Sequence, residues 1–246
     1  MRQLIKRVLP SQLLQVIRRH LRNIKDDSKQ LIFIHIDKCG GTSLWHSIQN
    51  SQIIKSKFSH TYKVHVEKPL ILKKAKYLIV IRNPIKRAIS AFNWRFYLSE
   101  KDEAQRQRFD GEWEILNKYK MLNNLAEELY VNDVLNMEVS KEFQKIHHIK
   151  QNIAFYLSEL LSNITSDQIF CVISTETIYE DIINHLKVTD VKKFYENGKF
   201  TNDTKKYLSE NAYNNLKRYL HDDYRCIEKL LNLKESTVCD RSILLK

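Results

Sequence analysis

The sequence predicts an α/β fold, a three-layer arrangement with a central, mainly parallel sheet flanked by helices and carrying a helical insertion. Three observations carry this expectation. Short, nearly continuous apolar runs rich in branched residues occur in Gln30–Ile36 (QLIFIHI), Lys76–Ile81 (KYLIVI) and Gln168–Ser174 (QIFCVIS), the pattern of strands buried on both faces. The first two runs are followed by apolar residues at helical spacing: Leu44, Trp45 and Ile48, then Ile85, Ala88, Ile89, Phe92 and Phe96. Strands that alternate with helices favour parallel pairing through crossover connections. The chain has 246 residues and a 43% hydrophobic fraction, enough for one core, while 4 Gly and 3 Pro leave little material for long linkers.

Taken in order, residues 1–28 form an N-terminal amphipathic segment. Its apolar residues (Leu4, Ile5, Val8, Leu9, Leu13, Leu14, Val16, Ile17, Leu21, Ile24) recur at helical spacing between Arg2, Lys6, Arg7, Arg18, Arg19, Arg22 and Lys25. Pro10 followed by Ser11 splits the segment. Such a helix packs on its own domain or a partner, the usual fate of an apolar stripe, or lies on an anionic membrane surface. The charges exclude a signal peptide, and no run is long enough to span a bilayer. A cytoplasmic protein, membrane-peripheral at most, is expected.

Residues 29–235 form the main domain, with the helical insertion at about 100–161, rich in charge and in aromatics such as Phe109, Trp113 and Phe143. Leu208–Leu233 reads as one or two amphipathic helices, and 236–246 as a mobile tail. Cys39, Cys171, Cys226 and Cys239 are widely spaced without a C-x-x-C, which argues against zinc or a disulfide framework and for reduced thiols.

The formal net charge is +12. Such a surface attracts nucleotides, nucleic acid, anionic lipid or acidic glycans. The basic residues are spread along the chain rather than gathered with stacking aromatics, so nucleic acid is not the expected partner.

Two motifs carry chemistry. The first is His35-Ile36-Asp37-Lys38-Cys39-Gly40-Gly41-Thr42-Ser43-Leu44. A loop entering a helix N-terminus offers unpaired backbone N–H groups and the positive dipole end to an anion. Gly40 and Gly41 let the backbone approach a phosphate, Lys38 adds a cation, and Thr42 and Ser43 add hydroxyls. The Lys precedes the glycines, so this is not the G-x-x-x-x-G-K-[ST] loop of ordinary ATPases and nucleotide kinases. A plain Gly-Gly turn before a helix would also have this composition. The second motif is Arg82-Asn83-Pro84-Ile85-Lys86-Arg87-Ala88-Ile89-Ser90. A strand ends at Arg82 and a helix starts near Pro84. Arg82 is suited to bidentate phosphate binding, Ser90 lies two turns on, and Lys86 or Arg87 adds charge.

Together HIDKCGGTSL and RNPIKRAIS resemble the nucleotide-binding signature of the sulfotransferases, especially the carbohydrate type, over Leu31–Asn50 and Tyr77–Phe92. The resemblance implies a P-loop-like fold and 3′-phosphoadenosine 5′-phosphosulfate as sulfuryl donor. It implies that Lys38, Cys39, Gly40, Gly41, Thr42 and Ser43 hold the 5′-phosphosulfate, and that Arg82 and Ser90 hold the 3′-phosphate. The chain departs from the pattern at Asp37 (often Pro), Cys39 (often Thr) and Asn83 (Asp). Asp37 beside an anion site is expected to point away or to pair with a lysine. Cys39 beside a helix N-terminus also has the placement of an activated thiol, a role the anion loop leaves superfluous.

In that family a His or an acidic residue between the motifs often acts as base. His65, just after a short predicted strand, is the candidate, with His60 and Glu67 as alternates and Lys38 as the stabiliser of the leaving group. No metal is required. His35 is expected to orient the loop, Glu176 to act as a cap or ion-pair partner, and one of His147 and His148 to touch acceptor. The loop around Gly198 and Lys199–Thr204 is placed to close over the nucleotide. The implied acceptor is a hydroxyl, less readily an amine, of a glycan or related molecule. The competing readings are a degenerate nucleotide binder and a basic anion- or membrane-binding module.

Overall fold

The computed structural model describes residues 27–189, 191, 206–233 and 241–245. The N-terminal amphipathic segment up to residue 26 and the loop at 198–204 lie outside the described residues. Strand β1 (Gln30–Ile34) is buried along its whole length. Helix α1 (Gly41–Asn50) and the short α2 (Gln52–Lys57) carry the chain to β2 (His60–Val64), and then comes β3 (Lys76–Ile81). The sheet is four-stranded, in the order β2-β1-β3-β6 with β6 at Ile169–Ser174, and every neighbouring pair is parallel. Its apolar runs are buried because helices cover both faces, which is why they read as continuous rather than alternating.

The winding reverses at β1, since the chain runs first to β2 on one side and then to β3 on the other. In open parallel sheets ligands bind outside the carboxyl ends of the strands at that switch point. Here the two motifs are the segments that leave β1 and β3.

Helix α3 (Pro84–Lys101) starts as its sequence dictates, with Pro84 in the first turn and the Asn83 side chain accepting from Lys86 N at 3.0 Å. The insertion follows: α4 (Glu103–Arg106), α5 (Glu112–Tyr119), α6 (Leu122–Glu127), a hairpin of β4 (Tyr130–Val131) and β5 (Val134–Leu135), α7 (Met137–Lys145) and α8 (Ile153–Leu157). The hairpin is absent from the mostly helical reading of this region. Its strands are two residues long, and Asn132 and Asp133 turn between them at φ 48° and 63°, so no apolar alternation could build up. A second core, in which Phe92 and Leu216 from flanking helices pack with insertion residues such as Leu116 and Phe143, lies beside the larger core around the sheet.

Strand β6 (Ile169–Ser174) completes the sheet, and α9 (Ile178–Leu186), α10 (Glu210–Tyr219) and α11 (His221–Leu233) follow. Residues 241–245 correct the expected mobile tail. They form α12 (Arg241–Leu245), Leu244 is fully buried, and its carbonyl accepts from Asn83 Nδ2 at 3.2 Å. Leu244 and Leu245 dock because they complete the sheet core, and the Leu244 carbonyl meets the capping residue of α3. Asn83→Ala removes both bonds and is expected to cost about 1–2 kcal/mol, read as a lowered urea midpoint. Among the described residues no helix is long and apolar enough to cross a membrane.

Candidate functional site

A cleft of about 600 Å³ opens at the carboxyl ends of β1 and β3. It is lined by Lys38, Gly40, Gly41, Thr42, Ser43, His65, Arg82 and Ser90, that is, by every first-choice site residue of the sequence reading except Cys39.

The loop between β1 and α1 is built around two glycines with different duties. Gly40 sits at φ +75°, and a Cβ there would come within 2.8 Å of Ile178 Cδ1. At Gly41 a Cβ would fall 1.8 Å from the ring of His35, so the backbone rests directly on that imidazole. Helix α1 begins at Gly41 with no side-chain cap. Its first-turn residues Gly41, Thr42 and Ser43 line the cleft, where their backbone N–H groups and the helix dipole favour negative charge.

Lys38 is also left-handed, at φ 66°, a conformation that costs a non-glycine residue about 1 kcal/mol or more. Arg82 holds it there, donating from Nη1 to the Lys38 carbonyl at 3.0 Å. The Nε of Arg82 is buried without a partner. Arg82 therefore ties the two motifs together while keeping donor capacity. The Lys38 Nζ lies 4.5 Å over the ring of Trp94, which also lines the cleft. Burial, with the charges of Arg82 and Arg87, lowers the Lys38 pKa to about 8.

Cys39 does not join the ligand-facing set. Its side chain is fully buried in the sheet core, and burial pushes the thiol up to about 12. It is neither a nucleophile at neutral pH nor a contact through its side chain. Arg87 likewise adds no free charge. It is buried, and donates to the carbonyls of Asp37 (2.9 Å), His148 (2.6 Å) and Gln151 (2.6 Å).

Asp37 corrects a second expectation. It neither points away nor pairs with a lysine. With Arg87 holding its carbonyl, its buried carboxylate turns toward imidazoles, 3.1 Å from His148 Nδ1 and 3.7 Å from His65 Nδ1. Burial raises this carboxyl, but the contact with His148 and the neighbouring imidazoles outweigh it, so its pKa lies well below the usual carboxylate range. His65 follows β2 and sits in the cleft. It is half-buried, with its ring stacked on His35 at 4.6 Å. Burial lowers His35 to about 3, so that ring is a neutral platform between His65 and Gly41. His60 and Glu67 are not among the residues lining the cleft. Glu176 is structural, accepting from Asn83 N at 3.2 Å and Ser174 Oγ at 2.8 Å where β3 and β6 end.

His148 enters this site from the insertion, and the sequence marks it only as one of two adjacent histidines. Lys63, Trp94, Thr175 and Tyr179 also line the cleft without a motif to announce them. His35, Asp37 and His65 place one ligand atom each within 4.8 Å of one another. Two features disfavour a divalent ion there. The stacked planes of His35 and His65 cannot both contain one ion, and Lys38, Lys63 and Arg82 line the same cleft. Compared with protein-family models, with curated proteins and with solved structures, the chain matches none.

Proposed function

We propose that the chain is a sulfotransferase, transferring a sulfuryl group from 3′-phosphoadenosine 5′-phosphosulfate to a hydroxyl of a carbohydrate or related acceptor. The observation that supports it best is the meeting of two separate anion grips in one cleft at the switch point of the sheet: Lys38 with the α1 N-terminus, and Arg82 with Ser90. A donor with two anionic ends, a 5′-phosphosulfate and a 3′-phosphate, suits two such grips. An ordinary nucleoside triphosphate suits them less, because no Ser or Thr follows the lysine to hold magnesium.

In this reading the acceptor oxygen attacks sulfur in line and the bridging phosphate oxygen leaves. The protein supplies positioning and charge stabilisation. Lys38 neutralises the leaving oxygen and reaches it by leaving the face of Trp94. The open cleft leaves room for an acceptor beside His65 and His148.

Calorimetric binding of 3′,5′-bisphosphoadenosine to the full chain tests the donor assignment, and a radiolabelled transfer assay over a panel of glycans and small alcohols tests the reaction. Lys38→Ala is expected to weaken binding about 30-fold, the loss of one charge-assisted contact of about 2 kcal/mol. No binding at millimolar nucleotide would sink the donor assignment. Binding without transfer to any acceptor would leave a nucleotide-binding module.

The lowered pKa of Lys38 also predicts a pH dependence. The amine is charged below about 8, so affinity for the bisphosphate is expected to be fully present near pH 7 and to fall as pH rises through that value. The bound anion itself moves the fall upward. Lys38→Arg, charged throughout, is expected to flatten the profile between pH 7 and 9.

A further inference from the structure

The sequence points to His65 as base, yet the Asp37 carboxylate lies between two histidines, and the second is the better held. His148 Nδ1 is 3.1 Å from Asp37 Oδ2, against 3.7 Å from Asp37 Oδ1 to His65 Nδ1. Both atoms of the closer contact are buried and otherwise unpartnered, and they face each other at 3.1 Å without ideal hydrogen-bond alignment. Buried polar atoms of this kind call for a physical explanation. The His148 side chain is 17% exposed and lines the cleft, whereas that of His65 is 36% exposed.

The backbone is committed as well. His148 is left-handed at φ 67°, a conformation that persists in a non-glycine residue only when its surroundings enforce it. Arg87 does so through the His148 carbonyl (2.6 Å), and Glu112 accepts from the adjacent His147 N (2.6 Å). Two buried charged groups from different helices thus fix the backbone on both sides of the 147–148 bond, and the His148 side chain lines the cleft. The charged or titratable groups around the imidazole are Asp37, Lys38, Arg95, His147 and His35.

We propose that His148 is the base of the sulfuryl transfer and that Asp37 is its positioning residue. This rests on the sulfotransferase reading above. The ionised Asp37 accepts the Nδ1 proton of a neutral His148. That fixes the tautomer and leaves the Nε2 lone pair for the acceptor, the division of labour of any carboxylate–imidazole pair. As the acceptor oxygen forms its bond to sulfur, its proton passes to His148 Nε2. The sulfur–oxygen bond to the nucleotide breaks, and its electron pair leaves with 3′,5′-bisphosphoadenosine. The imidazolium then releases the proton to solvent. His65, across the same carboxylate and stacked on His35, flanks the acceptor.

Two measurements on the full-length chain decide this. Two-bond ¹⁵N–¹H correlation spectra read the tautomer directly. His148 is expected as the Nδ1–H form in the wild type and as a tautomeric mixture in Asp37→Asn. An Nε2–H form in the wild type overturns the proposal whatever the fate of the donor assignment. Transfer assays with the acceptor found in the panel supply the second. His148→Gln is expected to lower kcat about 100-fold or more, and Asp37→Asn about tenfold. Both should bind 3′,5′-bisphosphoadenosine within about threefold of wild type, the scale of a difference well under 1 kcal/mol. Loss of turnover confined to His65→Gln, with His148→Gln active, assigns the proton to His65 and overturns the proposal. If the nucleotide fails to bind wild type while the Nδ1–H tautomer is present, the sulfotransferase reading has failed and with it the base role, while the Asp37–His148 orientation stands.

Discussion

Replacing Glu112 with alanine is expected to destabilise the protein by about 4 kcal/mol, within the range for removing one partner of a buried ion pair. Arg95 and Glu112 are each 1% exposed, and the guanidinium grips the carboxylate through Nη2 at 2.6 Å and Nε at 2.9 Å. Its remaining donors go to Gln105 Oε1 and O, both at 3.2 Å, and its plane lies over Phe109. Without Glu112 the cation is buried and uncompensated. The predicted drop in melting temperature is roughly 10 °C for a chain of this size, measurable by calorimetry or urea unfolding. A double replacement, Arg95→Met with Glu112→Leu, is expected to recover most of the loss, because desolvation offsets much of the attraction in a buried pair. If the single variant loses less than about 1 kcal/mol, the pair is not the anchor described here. The double variant should still disturb the site, since Glu112 also accepts from His147 N. Stability and turnover would then separate in one protein.

Gly41→Ala is the second large effect. The new methyl would fall 1.8 Å from the His35 ring, and that ring is boxed in by Phe33 on one side and His65 on the other. Overpacking a filled interior costs typically 1–3 kcal/mol, and the upper end, about 3 kcal/mol, is expected where an aromatic ring must move. Either the loop or the ring has to give way, so nucleotide binding is expected to weaken with stability rather than independently of it. Gly41→Ala with unaltered affinity and unfolding midpoint would contradict the backbone-on-imidazole contact. A companion change, His35→Ala, makes room for the methyl and is expected to restore folding in the double variant.

These effects fall on residues that the sequence marked unevenly. The strands were legible because burial on both faces writes unbroken apolar runs, and Lys76–Ile81 is a strand over that whole span. The first strand was read two residues too long, since pairing to β2 and β3 ends at Ile34 although His35 and Ile36 continue the apolar run. The glycine loop between β1 and α1 was legible from composition, but the left-handed turn at Lys38 was not, because it is imposed by Arg82 from another strand. Asp37 was misjudged for a related reason. Its neighbours in sequence suggested a lysine partner, and its actual partner, His148, is 111 positions away by the two residue numbers. Arg87 had the look of a ligand-binding cation and proved to be a scaffold, because three carbonyls that converge on it come from segments no periodicity brings together. Local pattern thus gave the strands and the glycine loop before α1. The histidine cluster depends on tertiary contacts with the insertion.

The bonds of Arg87 have a consequence for the order in which the chain becomes competent. One guanidinium joins the carbonyls of residues 37, 148 and 151. During synthesis β1, its loop and Arg87 emerge well before residue 148 does. Until then two of those three acceptors do not exist, and the buried cation has no full set of partners. Domains fold as units when their late contacts arrive, so the proposed nucleotide affinity is expected to appear late in biogenesis. The nucleotide would then act as a check on completed chains rather than as a template for young ones. If the proposed nucleotide site is correct, chains truncated at about residue 130 should not be protected from proteolysis by 3′,5′-bisphosphoadenosine, whereas the 246-residue chain should.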